Sequence, residues 1–289
     1  MRRQLLVASE PPTTDSNNAR TINHYYADLN ASSDFLLDVD FAIRGAEGYL
    51  FSRVEKYNQS VCSYRLAIVL DVDDTSLSHY PSFRDTNFAN DPVTINARYH
   101  IANAPAIAPV LALYRNAIAN DVAVFFVTAR KPLEDNPTED LRPYTARNLH
   151  AIGYEDYAGL YLAQGEDATL STAEFKQKIR KMIENYGYRI VLNIGDQPAD
   201  LAGGYAEQTY LLPNYLYPPT LPLTFRSLAS GQYYSRTSDS KLEVTESSQN
   251  SISVARLGMF SGNNSNSILD ENPPNNGADT MQARSSCLR

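Results

Sequence analysis

Residues 66–80, LAIVLDVDDTSLSHY, run five apolar or small residues straight into three aspartates, Asp71, Asp73 and Asp74, and then a threonine. A short unbroken apolar run bounded by polar residues reads as a strand covered on both faces. Such a strand carries all three carboxyl groups to one point, where like charges repel. Something positive must be expected there.

The same texture recurs along the chain. Apolar runs at 122–127, 159–163, 190–194 and 209–212 alternate with stripes of helical spacing. Leu36, Val39, Ile43, Ala46, Leu50, Val54 and Tyr57 form one stripe, weakened by Gly45 and Gly48. Ile107, Val110, Leu111, Tyr114 and Ile118 form a second, with Pro105 near its start, and Phe175, Ile179, Met182, Ile183 and Tyr186 a third, with Gly187 where a helix end favours glycine. Strand and helix alternating in this way predict an α/β fold, a parallel sheet flanked by helices with right-handed crossovers. Ligands of such sheets bind at the carboxyl ends of the strands, where Asp71, Thr128 and Asp196 fall.

Three regions are expected: a flexible leader over 1–29, a folded domain over 30–219 and a low-complexity, disordered tail over 220–289. The tail is rich in Ser, Asn, Gly and Pro, too poor in large apolar residues to offset its ordering entropy, with a short helix expected only near 252–260. The segment 76–104 is too short for a large independent cap and too long for a tight turn.

The 289 residues carry 25 basic and 33 acidic side chains, a net charge of −8, which argues against a nucleic-acid or anionic-membrane binder. The two cysteines, Cys62 and Cys287, have no metal-ligand spacing and indicate no disulfide framework. The opening MRRQLLVASEPP lacks the apolar core of a secretory signal, and no run is long enough to span a membrane. The expected setting is cytosolic by default, with non-classical export left open and the oligomeric state unset.

An aspartate at the end of a buried strand can attack phosphorus to form an aspartyl-phosphate, and a second carboxyl group two residues on can protonate the leaving oxygen and then activate water. Asp71 and Asp73 have that spacing. Mg²⁺, a hard cation that takes oxygen ligands, would relieve their repulsion. Taken alone, DVDD reads first as an acidic turn leaving a strand; a calcium loop of the EF-hand type is disfavoured by Ser76 where a glycine is needed and by the strand that precedes it. Further residues join the pair. Thr128 closes VFFVTAR and can hold a phosphate oxygen, Lys176 lies early in the third stripe and can neutralise phosphate and nucleophile, and Asp196 and Asp200 in NIGDQPADL suit metal ligation. His79, Tyr80, Phe83, Arg84, Arg98 and Tyr99 are candidates for the pocket mouth.

In this order DVDDT, Thr128, Lys176 and GDQPAD resemble the four motifs of the haloacid dehalogenase (HAD) superfamily of phosphohydrolases. The likeness is closest to the subfamily of class B acid phosphatases and plant acid phosphatase or vegetative storage proteins, through NAPAIAPVLALYRNAIANDVAVFFVTAR, ARNLHAIGY, FKQKIRKMIENYGYRIVLNIGDQPADL and LLPNYLYP, over roughly residues 30–219. It implies a Rossmann-like core with a small cap or none. Asp71 would be nucleophile, Asp73 acid/base, and Thr128 and Lys176 phosphate-binding. Mg²⁺ would be held by Asp71, the Asp73 carbonyl and Asp196, with Asp200 in support. The implied function is a Mg²⁺-dependent hydrolase of small phosphomonoesters. Some storage relatives have lost the nucleophile, whereas this chain keeps Asp71. The alternatives are a catalytically weak storage or binding protein on the same fold, and a phosphatase steered to a partner by its tail.

Overall fold

The computed structural model describes residues 16–60 and 62–216, together with strand residues 224–226, 232–236 and 242–246. The chain divides into a unit of residues 1–220 with 280–289 and a second of residues 221–279.

In the first unit β1 (Arg65–Leu70) lies at the centre of a five-stranded sheet with β2 (Ala123–Thr128), β3 (Gly159–Leu162), β4 (Tyr188–Gly195) and β5 (Gln208–Leu211), in the order β3-β2-β1-β4-β5. Every pairing is parallel. The pleat explains the unbroken apolar runs. Ile68 and Leu70 point into one hydrophobic cluster and Ala67 and Val69 into another on the opposite face. The first cluster is covered by α2 (Asp34–Asn58), through Val39, Ile43 and Leu50, and by α5 (Ala108–Ala119), through Val110 and Leu113. The second is covered by α7 (Thr172–Asn185), through Phe175, Ile179 and Ile183.

Local signals fix the helix ends. Ser33 caps α2 by accepting from Leu36 N, and Ser171 and Glu174 form a reciprocal capping box at the start of α7. After α7 the chain reverses at Gly187, whose φ of +87° suits a residue without a Cβ. Three more helices complete the surroundings of the sheet's carboxyl edge. These are α3 (Tyr80–Asp85) and α4 (Pro92–Ile101) in the segment between β1 and α5, and α6 (Arg142–Ala151) after β2. The 76–104 segment thus holds a small two-helix cap.

The expected leader needs correction. Residues Ser16–Tyr26 form α1, with Ile22 and Tyr26 buried in the first cluster. The driving contacts are aromatic: Tyr26 stacks on Tyr80 at 4.6 Å and packs on Phe35 at 4.3 Å. The rest of the expected leader, residues 1–15, lies outside the described residues. In the second unit β6 (Thr224–Arg226), β7 (Gln232–Arg236) and β8 (Leu242–Glu246) pair antiparallel as a three-stranded sheet, where the composition predicts disorder. The remainder of the expected disordered tail, with its 252–260 helix, lies outside the described residues. Cys62, just before β1, is disulfide-bonded, where the sequence indicates no disulfide framework. Among the described residues no helix is long and apolar enough to cross a membrane.

Candidate active site

The loop leaving β1 folds back on itself. Ser76 N and Leu77 N donate to Val72 O at 3.0 and 2.8 Å, and Ser76 Oγ donates to Asp71 O at 2.6 Å. The third aspartate of DVDD serves this turn. Asp74 adopts a φ of +56°, donates its N–H to Leu77 O and accepts from His79 N at 2.7 Å. Its carboxylate is spent on backbone, which leaves Asp71 and Asp73 to face the cleft.

Asp71 joins one group of charges. Asp71, Asp196 just past β4, and Asp200 in the short helix α8 (Pro198–Leu201) bring one carboxylate oxygen each within 4.8 Å of one another. Lys176, one turn into α7 and buried, donates to Asp71 Oδ1 and, at 2.7 Å, to Asp200 Oδ1. The close approach of Asp200 to the strand end requires Gly195, since a Cβ there would lie 2.4 Å from that of Asp200. Arg180, one turn beyond Lys176, donates to the carbonyls of Asp200, Ala202 and Gly204 and so fixes the α8 loop. Burial pushes the Asp71 carboxyl well up; Lys176 opposes this, and Asp200, Asp196 and Asp73 reinforce it. Asp196 is pushed up to about 7 by burial and then by Asp200 and Asp74. Three buried carboxylates against one lysine leave the group short of positive charge, and its hard oxygen donors suit a divalent cation.

Asp73 belongs to a second group. Its carboxylate accepts from Arg130 Nε and Nη2 at 2.9–3.1 Å, meets His79 Nε2 at 2.7 Å, and accepts from Thr128 Oγ1 at 2.8 Å. Burial alone would raise this carboxyl, but the Arg130 guanidinium and His79 hold it well below the ordinary range. Tyr99 of α4 covers Arg130 with its ring, 4.3 Å from the guanidinium carbon. The structure therefore places Thr128 on Asp73, and leaves the Asp73 carboxylate outside the three-carboxylate group.

Between the two groups opens a cavity of about 430 Å³ lined by Asp71, Asp73, Lys176, Asp196 and Asp200 on its polar side and by Phe83, Ile95 and Tyr99 from the cap. Of the expected mouth residues His79, Phe83, Arg98 and Tyr99 line it. Tyr80 instead lies buried against Tyr26, and Arg84 turns outward to Asp28 and Asp85. The sequence alone assigns Arg130 no role. Its position two residues beyond the strand-ending Thr128 is the one signal that could have marked it.

A parallel sheet in this order, with carboxylates following β1 and β4 and a threonine ending β2, defines a HAD-like α/β fold. The profile of the HAD superfamily, subfamily IIIB (acid phosphatase), matches residues 20–220, and the chain belongs to that family. It is 31% identical to acid phosphatase 1 of Solanum lycopersicum over 153 residues, 52% of this chain and 57% of that protein. It is likewise 31% identical to vegetative storage protein 2 of Arabidopsis thaliana, over 52% of this chain and 55% of that protein. The chain thus spans little more than half the length of these two relatives. Among solved structures, the class C acid phosphatase of Bacillus anthracis with tungstate bound superposes with a TM-score of 0.55 at 17% identity, over 71% of this chain and 87% of that one. At that identity the likeness is one of fold.

Proposed function

We propose that the chain is a Mg²⁺-dependent phosphomonoester hydrolase acting on small phosphorylated substrates through an aspartyl-phosphate on Asp71. The observation that carries this reading is the divided environment of Asp71 and Asp73, two residues apart on one cleft. Asp71 sits beside Lys176, which screens it against an incoming dianionic phosphate. Its carboxylate oxygen attacks phosphorus, the P–O bond to the leaving group breaks, and the departing oxygen takes a proton from Asp73. Asp73 then accepts a proton from water as that water attacks the acyl phosphate, which releases inorganic phosphate and restores Asp71. Mg²⁺, held by Asp71, Asp196 and Asp200, would supply charge neutralisation at phosphate and nucleophile.

To carry the proton it donates, Asp73 must titrate higher than its present partners allow. Arg130 and Thr128 both donate to Asp73, and both are groups that bind phosphate oxygens well. An arriving phosphate would draw these donors away and raise the Asp73 carboxyl toward the range in which it can carry a proton.

The test is hydrolysis of an aryl phosphate and a panel of alkyl and nucleoside phosphates, with excess EDTA and with Mg²⁺ restored. Turnover that disappears with chelator and returns with Mg²⁺ is expected. Full activity in chelator would end the metal-dependent reading. No turnover on any ester would favour a storage or binding role, to which the similarity to vegetative storage protein 2 lends support.

A further inference from the structure

Asp196 is the one carboxylate of the three-carboxylate group that Lys176 does not touch among the described contacts. Something else must hold it. Thr75 Oγ1 donates to Oδ1 at 2.8 Å, and Gln197 Nε2 donates to Oδ2 at 2.9 Å. The shortest of its bonds comes from much further along the chain, where Asn214 Nδ2 donates to Oδ2 at 2.7 Å.

The orientation of that amide is fixed from behind. An asparagine side chain has one accepting and one donating end. Asn214 Oδ1 accepts from Leu216 N at 2.7 Å and from Tyr26 Oη at 3.4 Å, so the amino end is turned to Asp196. Tyr26 in turn accepts from Tyr215 N at 3.4 Å and is 1% exposed. Its ring lies between Tyr80, at 4.6 Å and an interplanar angle of 8°, and Phe35, at 4.3 Å. The neighbouring Tyr25 packs edge-on against Tyr215 at 4.6 Å. Two residues of α1 therefore bracket the segment that aims Asn214.

We propose that Asn214, oriented by Tyr26 of α1, is a positioning residue for the cation site, and that the N-terminal helix is through it a working part of that site. A ligating carboxylate keeps its affinity only while its own hydrogen bonds hold it in place, and removal of such an outer partner typically lowers metal affinity roughly 10- to 100-fold. Asn214 restricts the rotation of the Asp196 carboxylate. Tyr26 acts on the cation only through Asn214.

The inference rests on the proposed cation site, and its test separates the two. The full-length chain is titrated with Mn²⁺ alone, a cation that carboxylate sites take as they take Mg²⁺, and free Mn²⁺ is read by electron paramagnetic resonance. Asp196→Ala serves as the control for the site, and circular dichroism confirms folding. Asn214→Leu is expected to weaken Mn²⁺ binding about tenfold. Tyr26→Phe should weaken it by a smaller factor, and should add nothing once Asn214→Leu is present, because a residue acting through another is non-additive with it. Asn214→Ala takes the place of Asn214→Leu if the latter does not fold. Mn²⁺ affinity unchanged in the Asn214 variants, or a Tyr26→Phe effect that persists in full beside Asn214→Leu, would overturn this inference alone. A wild-type chain that binds no Mn²⁺ would overturn the cation site with it.

Discussion

The two halves of the cleft are built to opposite electrostatic plans. On the β4 side Asp71, Asp196 and Asp200 crowd three carboxylates around one lysine, and burial leaves Asp71 and Asp196 reluctant to ionise. On the β2 side one carboxylate, Asp73, has Arg130, His79 and Thr128 to itself and ionises readily. Carboxyl groups whose surroundings push them apart are the recurring device by which one site runs two kinds of chemistry. The first half is short of positive charge. The second is already neutralised.

The strongest way to break this comparison is to remove each carboxylate in turn. Asp71→Asn is expected to reduce turnover of an aryl phosphate below about a hundredth while leaving the thermal melt intact, because the amide fills the same space and cannot attack phosphorus. Asp73→Asn should lower kcat/KM by roughly 10²–10⁴-fold for an alkyl ester and far less for an aryl ester whose leaving oxygen needs no proton, while kcat falls for both because the same residue activates the water of the second step. A plot of kcat/KM against leaving-group pKa decides the matter. Equal losses across all leaving groups would remove Asp73 from the acid role.

A second test exchanges the cations for apolar side chains of similar length. Lys176→Met leaves Asp71 and Asp200 buried without their ammonium, and loss of one partner from a buried pair costs about 3–5 kcal/mol. Arg130→Met should cost less, since His79 and Thr128 still hold Asp73. Thermal melts with and without Mg²⁺ sharpen the contrast. Saturating Mg²⁺ should raise the Tm of the Lys176 variant more than that of the Arg130 variant, and equal gains would mean that the two halves are not electrically distinct.

The difference between the halves also governs what could be read from the sequence. The unbroken apolar runs at 66–70 and 190–194 announce strands buried on both faces, and the observed β1 and β4 contain them. Asp71 and Asp196 follow those strands directly, and the resemblance groups them with Asp73 and Asp200 as metal ligands, whereas the structure brings together the carboxylates of Asp71, Asp196 and Asp200 only; Lys176 falls on a helix whose apolar stripe is clear. The Asp73 half depends on contacts between distant segments. Arg130 meets Asp73 across two strands, and Tyr99 reaches it from a cap helix, α4, whose mixed face gives weak periodicity. Tyr26 and Asn214 lie 188 residues apart, a pairing that no local pattern carries. The same reason hid α1: its polar composition resembles a leader, and only the burial of Ile22 and Tyr26 against other elements makes it structure.

The smallest expected effect concerns how the cap is fastened on the Asp73 side. His100 near the end of α4 sets Nε2 2.5 Å from Glu139 Oε1 and Nδ1 2.8 Å from Asn96 O, and its ring packs on Tyr144 of α6 at 4.5 Å. The bond to Glu139 raises the His100 pKa, against a smaller opposing effect of burial. A histidine raised on folding adds stability that is fully present below its unfolded pKa of about 6.5 and is lost as pH climbs through the higher folded value. His100→Gln should therefore cost up to about 1 kcal/mol near pH 5.5 and little near pH 9, in keeping with a partly exposed pair. The Tm difference between variant and wild type at the two pH values measures this. Because α4 also carries Tyr99 over Arg130, the variant should disturb the Asp73 half and leave Mn²⁺ binding by Asp71, Asp196 and Asp200 unchanged. A Tm difference independent of pH would show that His100 supports the cap by packing on Tyr144 rather than by its charge. A loss of Mn²⁺ affinity would show that the cap reaches both halves.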